Sequence, residues 1–135
     1  MTVISNKAIK INMKIPTNKQ FAEHVKKSLI KSGIKPATFG RDVLNDSGAI
    51  HRLFKGTNPR LSTVIKIAKA IKLDFIKHSE LISKVRKYLN LSGESKASLG
   101  RRIAKDASFV HRLYHGLDPK LSTVKKIIDA LKDKK

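Results

Sequence analysis

The chain has 135 residues, room for one ordinary domain or two small ones, and 40% of them are hydrophobic but only 5% aromatic, so any core is built from Ile, Leu and Val. Thirty Lys and Arg against ten Asp and Glu give a net charge of +20, an excess that points to an anionic partner, either nucleic acid or an acidic membrane surface. The absence of cysteine excludes disulfides and thiolate metal sites and fits a reducing compartment, and neither a leader-type apolar core nor a bilayer-length apolar run is present; the expectation is a cytoplasmic protein.

In chain order, Ile9, Ile11, Met13 and Ile15 alternate with Lys10, Asn12 and Lys14, the period-two pattern of a short strand that Pro16 ends. A single strand is not stable alone. It must pair with a second copy, dock on the rest of the chain, or remain a basic arm; the expectation is a homodimer paired through residues 8–15. Phe21, Val25 and Leu29 then recur every four residues, on one helix face, and Gly33 stops that helix. Two short helices are predicted near 36–44 and 47–55. Pro36 suits the first turn of one, and Asp46 is the expected N-cap of the other, which Gly56 ends. After a loop with Pro59, Leu61, Val64, Ile67, Ala68 and Ile71 make the apolar stripe of a fourth helix.

Shifted by sixty residues, the chain lies on itself without a gap. Roughly 22 of 53 aligned positions are identical, and most remaining apolar positions exchange for apolar ones, so the chain holds two copies of one unit. In the second copy Leu81, Val85 and Leu89 repeat the first stripe, Gly93 the stop, and Ser95 and Asp106 serve as N-caps. Gly116, Pro119 and the stripe Leu121, Val124, Ile127, Ile128 and Leu131 complete it. The expected division is an arm at 1–19, a first domain at 20–72, a linker at 73–79 and a second domain at 80–135.

The short-helix region of each copy resembles the lambda-repressor and Cro-like (XRE-type) helix-turn-helix family. The matching residues are Phe39-Gly40, Ile50, His51-Arg52-Leu53, Gly56 and Leu61-Ser62-Thr63-Val64, and in the second copy Leu99-Gly100, Val110, His111-Arg112-Leu113, Gly116 and Leu121 through Val124. The pattern has a physical basis. Two helices that cross closely need a small residue at the contact, which Gly40 and Gly100 supply. Ile50 with Leu53, and Val110 with Leu113, anchor the second helix. The family's turn usually carries glycine; here Leu44 or Ala104 stands there, followed by Asn45, which tolerates positive φ, or Lys105, which has no such advantage.

The resemblance implies an all-α fold of two tandem helix-turn-helix domains, with a transcription regulator, repressor or activator, as its function. It also implies that the second short helix of each pair enters the DNA major groove, with the two helices on half-sites about one helical turn apart. A phage- or mobile-element-type regulator is implied by the resemblance alone. Base contacts are then expected from Ser47, Gly48, His51 and Arg52, and from Ala107, Ser108, His111 and Arg112. Arg52 and Arg112 lead, because an arginine fork matches the O6 and N7 of guanine. Phosphate contacts are expected from Lys55, Asn58 and Arg60, from His115 and Lys120, and from Lys35 and Lys96 at the start of the preceding helix.

No Ser/His/Asp set, glycine-rich phosphate loop, paired-carboxylate motif or HExxH spacing stands out, so neither an enzyme nor a metal or other cofactor is expected. Two other readings stay open. The same basic units with little base preference would make a nucleoid-type architectural protein, which the few polar groups at 47, 48 and 107 suit. A DNA-binding unit whose residues 1–19 hold a protein partner would make an antitoxin. RNA is disfavoured because side chains on a helix cannot read the A-form major groove and no aromatic stacking surface is evident.

Overall fold

Helix ends in this chain are satisfied partly by neighbouring residues and partly from far along the chain. A computed structural model describes residues 15–133, and these are all-α, with no strand among the described residues. Helix α1 spans Asn18–Ser32. Thr17 opens it with a capping box: its Oγ1 accepts from the Gln20 amide at 3.1 Å, and Gln20 Oε1 accepts from the Thr17 amide at 2.9 Å. Gly33, at φ 71°, closes it in the left-handed conformation that glycine adopts without strain. Phe21, Val25 and Leu29 are buried as their spacing predicts. Helices α2 (Pro36–Leu44), α3 (Ala49–Phe54) and α4 (Leu61–Ala70) complete the first unit.

The second unit repeats it as α5 (His78–Ser92), α6 (Lys96–Ala104), α7 (Phe109–Tyr114) and α8 (Leu121–Asp133). Ser95 caps α6 as expected, its Oγ accepting from the Ser98 amide at 3.1 Å. Leu89 departs from expectation: it is half-buried, and Tyr88 takes the buried position beside it. The short helices α3 and α7 also begin later than expected, at 49 and 109. Asp46 does not cap the helix directly. Its carboxylate accepts from the Gly48 amide at 3.0 Å and its carbonyl from the Ala49 amide at 3.2 Å, which fixes a turn ahead of the helix; Asp106 repeats this with Ser108 and Phe109.

The tightest crossing in each unit is between its two short helices. A methyl added at Gly40 would stand 2.5 Å from the carbonyl oxygen of Asp46, and one at Gly100 would press as hard on that of Asp106. The left-handed residue of the turn is Asn45 (φ 57°) in the first unit and Lys105 (φ 55°) in the second, one place beyond Leu44 and Ala104. Their amides bond back to the carbonyls of Arg41 and Gly40, and of Arg101 and Gly100, as a helix C-cap.

A continuous apolar core runs through both units, with Phe21, Ile50, Leu61 and Ile67 at one end and Leu81, Leu99, Leu113, Leu121 and Ile127 at the other, all fully buried. No charged or polar residue among the described residues is buried with them. The expected linker is part of this core: Ile76 is 5% exposed, and the Phe75 ring lies 6.2 Å from that of Phe21. Ile15, the end of the alternating N-terminal stretch, is also buried in the core. The rest of that stretch, on which the expected dimer pairing rests, lies outside the described residues.

The units meet at the loops and N-termini of α4 and α8. The Leu61 amide donates to the Pro119 carbonyl and the Leu121 amide to the Pro59 carbonyl, both at 2.7 Å, forming an isolated antiparallel bridge between Arg60 and Lys120. Asn58 Nδ2 donates to Ser122 Oγ at 2.7 Å, and Asn58 Oδ1 accepts from the Ser122 amide at 3.2 Å. Asp118 in turn accepts from the Ser62 amide at 3.0 Å and from its hydroxyl. The amides of the first two residues of each of these helices are therefore satisfied from the other unit.

Candidate nucleic-acid interface

Burial of one side of a short helix decides which residues its other side offers. Ile50 and Leu53 hold α3 to the core at 0% and 4% exposure, and Val110 and Leu113 hold α7 at 1% and 0%. The opposite faces are open. Ser47, His51, Arg52 and Lys55 are exposed around α3 with Gly48 half-buried among them, and Ala107, Ser108, His111, Arg112 and His115 are exposed around α7. The structure thus gathers each set of expected contact residues at one short helix. The rings of His111 and His115, one turn apart, have centroids 4.3 Å apart.

The two arginines are not free-standing. Arg52 Nη2 pairs with Asp46 Oδ2, and Arg112 Nη2 with Asp106 Oδ2. In the second unit Ser108 joins the pair, its Oγ donating to Asp106 Oδ1 at 2.8 Å and accepting from Arg112 Nε at 3.3 Å. The side chains of Arg52 and Arg112 remain 57% and 48% exposed. A guanidinium carries five N–H donors, so one carboxylate leaves donors over for a second acceptor. The Arg52 guanidinium first, and the Gly48 amide second, hold the Asp46 carboxyl below the usual carboxylate range. Exposed ion pairs contribute little to stability; in the structure each carboxylate draws its arginine toward the turn ahead of the short helix. The sequence signal for them is an Asp six residues before an Arg in both copies, a pattern that reads locally as no more than a cap.

Among the expected phosphate contacts, Lys35 and Lys55 are exposed at the N-terminus of α2 and the C-terminus of α3. Arg60 and Lys120 are exposed and face each other where the units meet. Lys96 stands over the Tyr114 ring at 5.4 Å, with the Arg86 guanidinium 4.8 Å from the same centroid. Asn58 departs from expectation. Its amide is half-buried and bonded at both polar atoms to Ser122, so it joins the units rather than facing outward. Beside α3 a shallow groove of about 330 Å³ is lined by Asp46, Arg52, Asn58, Arg60, Thr63 and Lys66.

A polar network distinguishes the second unit from the first. Glu94 Oε1 accepts from the Tyr88 hydroxyl at 2.7 Å and Arg102 Nη2 at 2.8 Å, while Oε2 accepts from the Ser98 hydroxyl at 2.9 Å and Arg102 Nε at 3.1 Å. The Arg102 bonds chiefly, against the cost of burial, bring the Glu94 carboxyl down to about 2. Burial first, and then the Glu94 carboxylate, push the Tyr88 hydroxyl up. The first copy has Ser28, Ile34, Thr38 and Asp42 at the corresponding places. With Ile34 in place of the central carboxylate, and Asp42 in place of the guanidinium, it cannot build the same network. This network ties the end of α5 to α6 and so supports the helix pair that presents α7.

Among the described residues no cluster of His, Cys, Asp and Glu could hold a metal ion, and no helix is long and apolar enough to cross a membrane. Comparison with protein families, with curated proteins and with solved structures gave no match to this chain.

Proposed function

We propose that the chain is a sequence-specific, double-stranded DNA-binding transcription regulator built from two helix-turn-helix domains, acting in the cytoplasm or nucleoid. One observation carries the reading: a short helix held to the core by one face presents His-Arg on the other, and it does so twice, in register, on a chain of charge +20. A helix of this width fits the major groove of B-form DNA, where each base pair shows its own pattern of donors and acceptors. In this reading α3 and α7 enter the groove. Arg52 and Arg112 donate to guanine, with His51, His111, Ser47 and Ser108 beside them. Lys35, Lys55, Arg60, Lys96 and Lys120 meet phosphates and set the register without reading sequence.

Five such phosphate contacts predict a plot of log affinity against log salt with a slope of about −4.5, or an affinity loss of about 500-fold between 50 and 200 mM salt. Fluorescence anisotropy with labelled duplex DNA, duplex RNA of the same sequence and anionic lipid vesicles tests the partner class. The reading expects duplex DNA to be bound most tightly, with a slope near that value. Preference for duplex RNA or for vesicles would refute it.

A further inference from the structure

The contacts between the two units are reciprocal. Leu61 to Pro119 has its mate in Leu121 to Pro59, at the same 2.7 Å. Position 58 of the first unit bonds to position 122 of the second, and position 118 of the second to position 62 of the first. Adding sixty to one partner and subtracting sixty from the other turns each contact into its mate. A contact in which i meets j and j meets i is isologous and belongs to a two-fold axis. Units stacked by simple translation would make each contact once, and the first unit's position 58 would have no counterpart contact. The units follow each other head to tail along the chain, yet they face each other in space as the two subunits of a symmetric dimer do. The axis passes between Arg60 and Lys120, where the backbones run antiparallel.

The symmetry does not extend to every outward-facing residue. At the outward faces, α3 offers Ser47, Gly48 and Lys55 where α7 offers Ala107, Ser108 and His115, while His-Arg is common to both. We infer that one chain, as a monomer, reads an imperfect inverted repeat whose two half-sites share a core but differ at their flanks. This rests on the DNA-reading function proposed above. A two-fold axis in a protein matches inverted half-sites, because duplex DNA carries its own two-fold axes between antiparallel strands. The unlike flanks give the chain one orientation on its site, which a true homodimer on a palindrome lacks. The covalent link also removes any dimerisation step, so site occupancy rises with the first power of chain concentration.

The test takes the site that the full chain selects from a random duplex pool. Sedimentation counts the chains on it, and affinity is compared with two altered duplexes: one half-site reversed, and about five base pairs inserted between half-sites, which turns them to opposite faces. The expected result is one chain per duplex and a loss of at least about tenfold for either alteration. A second arm uses the variant Ala107→Ser/Ser108→Gly/His115→Lys, which gives α7 the outer residues of α3. Its selected site should become more nearly palindromic, and its circular dichroism should match that of the parent. A direct repeat, a lone half-site or two chains per duplex would overturn the inference while leaving DNA reading intact. Failure to bind duplex DNA at all would overturn both.

Discussion

Substituting Gly100→Ala sets two effects of opposite sign against each other. Gly100 lies inside α6, without positive φ, so helix propensity alone favours alanine by about 1 kcal/mol. The structure opposes this. The new methyl would overlap the carbonyl oxygen of Asp106 and touch Phe109 Cβ at 3.4 Å. That carbonyl cannot simply turn aside, because it accepts from the Phe109 amide at 3.1 Å, and the Asp106 amide donates to Gly100 itself at 3.3 Å. Relieving the overlap must lift α7 from α6. Overpacking of this kind costs about 1–3 kcal/mol, and a weakened hydrogen bond about 1 kcal/mol more. After the gain in propensity, a net loss of about 2 kcal/mol remains, or about 6–8 °C in melting temperature for a chain of this length. Urea unfolding followed by circular dichroism measures it, with an unchanged denaturant slope as the condition for reading the midpoint as stability. Gly40→Ala should behave alike. A midpoint unchanged or raised by Gly100→Ala would refute the tight crossing.

Three further outcomes follow from particular contacts. Lys105 holds a left-handed conformation that costs a side chain about 1–2 kcal/mol, so Lys105→Gly should stabilise by about 0.5–1 kcal/mol after the extra freedom of glycine in the unfolded chain is deducted, whereas Asn45→Gly should gain less; thermal melts of both variants check this. The Glu94 carboxyl is lowered from 4.5 to about 2 on folding, so its contribution is fully present above pH 4.5 and is lost as the pH falls toward 2. Glu94→Gln should therefore cost on the order of 2 kcal/mol at pH 7 and progressively less below pH 4.5, and a constant difference between the two proteins across that range would contradict the network. Asp46→Asn with Asp106→Asn releases both arginines and removes two negative charges beside the proposed groove-facing helices. Affinity for non-selected duplex DNA should rise while discrimination between selected and random DNA narrows; equal discrimination in variant and parent would show that the carboxylates do not direct the arginines.

Much of the local architecture could be read in the sequence, because local structure is written in short windows. The four-residue spacing of Phe21, Val25 and Leu29, the glycines at 33 and 93 and the small residues at 40 and 100 each act within a turn or two of helix. The alternation of buried Ile50 and Leu53 with exposed His51 and Arg52 was legible for the same reason. What was not legible depends on partners far along the chain. Asn58 reads as a loop amide near phosphates, yet its partner is Ser122, sixty-four residues away. Residues 73–79 read as a linker between the two repeated units, but Phe75 and Ile76 are held by the core that both units share. The pairing of Arg52 with Asp46 is not evident because an interval of six does not bring two residues together on one helix; it takes the turn between α2 and α3 to close it. The Tyr88 and Glu94 network is hidden by the repeat itself, since the first copy has Ser28 and Ile34 at those two places.

The most direct test of sequence-specific reading is selection from a randomised duplex DNA pool at low and moderate salt, run with the parent chain and with Arg52→Ala/Arg112→Ala. The account predicts a sharp motif that survives moderate salt with the parent and blurs with the variant. Tight binding without a motif, lost as salt rises and indifferent to the two arginines, would contradict it and indicate a protein that coats DNA rather than reads it.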